Sequence, residues 1–86
     1  MRTEAVTVGT TAVKLAEGGI PAIPNAVAVQ VPSGGSTIYV GGADVTVNNG
    51  IAVSAGAIFT VDLMADELWG VIGASTQEVR VMRRHD

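Results

Sequence analysis

Three carboxylates fall within six residues, Asp62, Asp66 and Glu67, and they are the first place to look for chemistry in this chain. A loop of this kind can offer oxygen ligands to a hard cation such as calcium, but the cluster lacks the regular ligand spacing and turn glycine of a calcium loop. A solvated connector needs neither. As a catalytic carboxylate pair the cluster has no aromatic or basic companion. Ser33-Gly34-Gly35-Ser36 resembles a phosphate cradle, yet phosphate loops feed a helix N-terminus and this one feeds the extended run Thr37 to Val40. It reads as a turn. Ser54, Ser75 and the threonines supply hydroxyls without a base, because the one imidazole, His85, sits next to the last residue. There is no cysteine, so a structural zinc site has no ligand set. The expectation is a protein that is not an enzyme and holds no metal or cofactor.

The remaining side chains of interest suit contact better than catalysis. Trp69 lies among apolar neighbours in Leu68-Trp69-Gly70-Val71-Ile72, a setting for core or interface packing, with sugar stacking as the other use of such a ring. Arg80, Arg83 and Arg84 either form a solvated basic edge that discourages strand pairing or make bidentate bridges to acids on a neighbouring protein. Ile20 and Ile23, held by Pro21 and Pro24, are expected to face outward and to form part of an assembly interface, since the prolines limit the entropy lost on docking.

Period-two alternation places the elements that would carry these groups. Val6 and Val8 share a face, and Gly9 allows a turn. Val13 and Leu15 point inward in a second run ending before Glu17-Gly18-Gly19. Residues 18–24 read as an extended crossover, because each proline removes a ladder donor. From Asn25 to Val31, Val27, Val29 and Val31 point inward and Ala26, Ala28 and Gln30 outward. After Thr37 to Val40 and the bend at Gly41-Gly42, Val45-Thr46-Val47 and Asn48-Asn49-Gly50 predict a short hairpin with a type I′ turn. Ala57 to Asp62, Leu68 to Ile72 and Gln77 to Arg83 complete the set, with 63–67 a connector of about one helical turn. No repeat or composition break divides residues 1–86. The fold class expected is all-β: a single small antiparallel β-sandwich or jelly-roll-like barrel of seven to eight short strands.

Composition then limits the partners. Between Gly18 and Val61 the only charged residue is Asp44, so a soluble chain must cover much of that segment, in its own core or against neighbours. Fourteen Val and twelve Ala supply most of the apolar content, which suits thin, closely packed sheets. A net charge of −3, with basic residues gathered only from Arg80 to Arg84, argues against nucleic acid as a partner. No apolar run approaches the roughly 20 residues of a spanning helix, and the N-terminus lacks the layout of a signal peptide, so no membrane is expected. A chain of 86 residues without disulfides or metal has modest stability on its own, which leaves oligomerisation as the remaining staple.

The order Ile38-Tyr39-Val40-Gly41-Gly42, Val45-Thr46, Asn49-Gly50-Ile51, Gly56, an apolar strand, Leu68-Trp69 and Val79-Arg80-Val81 resembles small β-sandwich virion proteins of tailed bacteriophages. The likeness covers roughly residues 25 to 83, and it departs from the group in the strand near 25–31, which is nearly all Val and Ala here. The resemblance implies a capsid decoration, or cement, protein on the outer surface of the capsid. It further implies a homotrimer whose partners are the major capsid protein or other virion structural proteins. Its alternatives are a tail, neck or fibre-base component and, from another class, a glycan-binding module.

Overall fold

The computed structural model describes residues 1–18, 24–64 and 66–84. Its elements are all strands: β1 (Arg2–Val8), β2 (Val13–Glu17), β3 (Asn25–Gln30), β4 (Ile38–Gly41), β5 (Ile51–Val53), β6 (Ile58–Leu63), β7 (Glu67–Val71) and β8 (Gln77–Arg83). They form two antiparallel sheets of four, in the orders β1-β8-β3-β6 and β2-β7-β4-β5. The pairing follows a simple rule. Strand β1 pairs with β8, β2 with β7, β3 with β6 and β4 with β5, as if the chain were folded in half at the β4–β5 loop into one long hairpin. Adding β8 to β3 and β7 to β4 rolls that hairpin into two facing sheets, which is the jelly-roll form of the β-sandwich.

Between the sheets lies a core of thin aliphatic side chains. Val8, Val29, Val31, Ile38, Val79 and Val81 are fully buried, and Leu15, Val27, Val40, Val53, Leu63 and Leu68 nearly so. Strand β3 realises the expected alternation, with Val27 and Val29 inward and Ala26, Ala28 and Gln30 outward. The charge-poor segment is in part accounted for by its own core: among its described residues Val27, Val29, Val31, Ile38, Val40, Val45 and Val53 are buried. Phe59 and Val61 add partial cover, whereas Ile51 and Ile58 remain exposed on the edge strands β5 and β6.

Local structure departs from strict alternation in three places. A β-bulge between Lys14 and Ala16 turns two consecutive residues, Leu15 and Ala16, into the core while Val13 is only half buried. The hairpin expected at 45–50 does not form, because β4 pairs directly with β5 across a loop of residues 42–50. In that loop Gly50 N donates to Thr46 O at 2.9 Å and Thr46 N to Asn49 Oδ1 at 2.7 Å, which closes one helix-like turn. Asn48 and Asn49 are not among the positive-φ residues, so the turn is not type I′. What wins is burial: Val45 is 6% exposed and lies against Gly41, and an added Cβ at Gly50 would come within 2.8 Å of both Tyr39 Cβ and Val45 Cγ2. Among the described residues of 63–67 no helical turn is present, since β6 runs to Leu63, β7 begins at Glu67, and Met64 N bonds to Asp66 Oδ1 at 3.0 Å.

Candidate assembly surface

The three carboxylates do not converge on one point; Glu67 is brought to Trp69, and Asp62 to the same groove as Arg84. Asp62 points outward from β6, Asp66 accepts from Met64 N, and Glu67 accepts from Trp69 Nε1 at 3.1 Å. Among the described residues no group of three or more His, Cys, Asp or Glu is placed to hold a metal ion. Ser33-Gly34-Gly35-Ser36 is a turn, with Gly34 at φ 83° and Gly35 N bonded to Pro32 O at 3.0 Å. Ser36 N is satisfied by Gln77 Oε1 at 2.8 Å, so the loop is tied to β8. His85 and the candidate contact residues Ile20, Pro21 and Ile23 lie outside the described residues; Pro24 is half buried just before β3.

Two of the three arginines share a surface and the third does not. Arg80 projects from the outer face of the β1-β8-β3-β6 sheet and pairs with Glu78 at 2.7 Å. Arg84 follows β8 on the same face, its N–H bonded to Ala26 O at 2.9 Å. Arg83 stands opposite Val27 and Arg2, on the core side, with its side chain only 14% exposed and its guanidinium paired with Glu4. Period two explains the split: neighbours in a strand face opposite ways, so adjacent arginines cannot both reach one partner. Trp69 is half buried on the outer face of the other sheet, between Lys14 on β2 and Gly41 on β4. There Lys14 is hydrogen-bonded to Glu17 and lies 3.8 Å from Glu67. The hydrogen bond from Lys14, and then its charge, hold Glu17 below the usual carboxylate range, with Arg83 adding a smaller pull. The same hydrogen bond raises Lys14, against a partial desolvation effect and with the charges of Glu17 and Glu67 in support.

What the sequence had not singled out is the centre of the first sheet's outer face. Registers place Thr3, Met82, Ala28 and Thr60 in one row across β1, β8, β3 and β6, with Ala5, Arg80, Gln30 and Ile58 in the next. A third row holds Arg84, Ala26 and Asp62. The small side chains on β3 leave an open groove of about 490 Å³ lined by Ala26, Ala28, Thr60, Asp62, Met82 and Arg84. Neither Arg84 nor Asp62 forms an ion pair with a described residue. The signal in the sequence was the alanines at outward positions of a strand, where solvent-facing sheets ordinarily carry polar side chains. A second, smaller groove of about 230 Å³ runs between loop 42–50 and the turns after β1 and β7, lined by Ala12, Val45, Val47 and Ile72. No described helix is long and apolar enough to cross a membrane.

The chain matches no protein-family model, and no curated protein or solved structure is significantly similar to it.

Proposed function

We propose that this protein is a structural component of a bacteriophage virion, acting as a capsid decoration protein that reinforces the outer shell by protein–protein contact. The observation that carries the reading is the broad outer face of β1-β8-β3-β6, whose central rows are Thr3, Met82, Ala28 and Thr60, then Ala5, Arg80, Gln30 and Ile58, with Met82 and Ile58 left exposed. Such a face is suited to close, flat contact. The jelly roll is a topology shared by capsid domains, lectins and cupins, so the fold supports a shell role without choosing it over the others. The residue order from Ile38 to Val81, similar to that of small virion β-sandwich proteins, tips the choice. Modest contacts from each subunit then add up over many copies on one shell.

The test is to label the protein on purified particles and to compare heads carrying it with heads lacking it under heating and osmotic shock. Decorated heads are expected to keep their genome at higher temperature. Label confined to tails, or unchanged genome retention with lost tail attachment or adsorption, moves the protein to a tail, neck or fibre-base role.

A further inference from the structure

We infer that the groove on the outer face of β1-β8-β3-β6 is occupied by a second copy of this chain, related by a twofold axis that lies above the face, parallel to β3. The inference rests on reading this face as an assembly surface and not on the virion setting. The register supplies the argument. Arg84, following β8, and Asp62, on β6, flank Ala26 of β3 in one row, on opposite sides of the strand. A half-turn about that axis brings each Arg84 over the partner subunit's acid position, because it exchanges the β8 side of the face for the β6 side. The two contacts are equivalent, as an isologous interface requires. Neither group forms an ion pair with another described residue.

The other rows tolerate the same operation. Directly beneath the axis lie Ala26, Ala28 and Gln30, and the two alanines allow the sheets to approach closely. Met82 is carried over the Thr60 position of the other copy. The Arg80 stem is carried over the position of Ile58, which is 63% exposed and would lose that exposure. The overlap is formed by β8, β3 and β6 of each copy, because the half-turn carries β1 beyond the β6 edge of the other sheet. A threefold arrangement, which the resemblance implies, would need two different complementary patches, whereas this one face complements itself.

Sedimentation equilibrium of the full chain tests the inference. The wild type is expected to dimerise, with R84D or D62R alone raising the dissociation constant at least about tenfold and the double variant R84D/D62R restoring it. A28R, which projects a charged side chain from the centre of the groove, should give a monomer whose circular dichroism matches the wild type. A wild-type monomer at every concentration, a trimer, or a dimer indifferent to both R84D and A28R overturns the proposal. The function reading fails separately: a monomer that still decorates heads sinks only the twofold dimer, and a dimer that never associates with heads sinks only the capsid role.

Discussion

Adjacent arginines near the C-terminal end of β8 illustrate how one residue of offset changes a role. Arg83 is folded against the end of the core and paired with Glu4, with Nε buried and unbonded among the described residues, so its aliphatic stem and one charge-assisted contact belong to the subunit. Arg83→Ala is expected to cost about 1–2 kcal/mol in urea unfolding. Arg84→Ala, on the outer face, should change the stability of the dilute subunit by less than about 0.5 kcal/mol. Lys14 and Glu17 make a pH prediction at the same scale. Glu17 is held below its ordinary value of 4.5, so its contribution is present above that value and is lost as pH falls through the lower folded-state value. Lys14 is raised above 10.5, so its contribution is present below that value and is lost as pH rises through the higher one. The urea midpoint of Lys14→Met should therefore fall slightly below that of wild type at neutral pH and converge with it in acid. Molar salt should shrink the neutral-pH gap, because the pair is exposed.

Among the elements, loop 42–50 is where local preference lost to packing. Asn48-Asn49-Gly50 has the composition of a type I′ hairpin turn, but a hairpin tight at that point would lift Val45 out of its contact with Gly41. The chain instead keeps Val45 buried and closes the turn through Thr46 and Asn49. Asn49→Ala should cost about 1 kcal/mol, since Thr46 N loses its acceptor. Gly50→Ala should cost about 1–3 kcal/mol, since the added methyl meets Tyr39 Cβ and Val45 Cγ2 at 2.8 Å. Thermal unfolding of the two variants checks both values. Asn48→Gly, which would favour a type I′ turn, should not stabilise the protein.

For the whole molecule, the pairing of first strand with last makes stability all-or-none. Strand β8 is inserted between β1 and β3, so the sheet cannot close until the end of the chain has docked. Deleting residues 77–84 should leave an unfolded chain by circular dichroism and by proton chemical-shift dispersion, whereas losing Met1 alone, which is 86% exposed, should leave folding intact. The nesting of β4–β5 inside β3–β6, β2–β7 and β1–β8 also raises contact order. Refolding in the millisecond-to-second range of β-sandwiches is the corresponding expectation.

The sequence by itself determined that the chain is a small antiparallel sandwich, because side-chain alternation is a local property and Val27, Val29, Val79 and Val81 announce their inward face without reference to any neighbour. It also disclosed the outward alanines of β3. Their importance was not legible, because an outward alanine becomes part of a surface only once strands far apart in sequence are laid beside it. Which strands those are was decided by the tertiary structure. Asp62 and Arg84 are separated by 21 intervening residues and are brought into one row only because β3 lies between β6 and β8. Likewise the bulge that buries both Leu15 and Ala16 depends on the register with β7, and the orientation of Arg83 on a carboxylate from β1. Pairing across the chain, set by global closure of the core, has no counterpart in any window of local sequence.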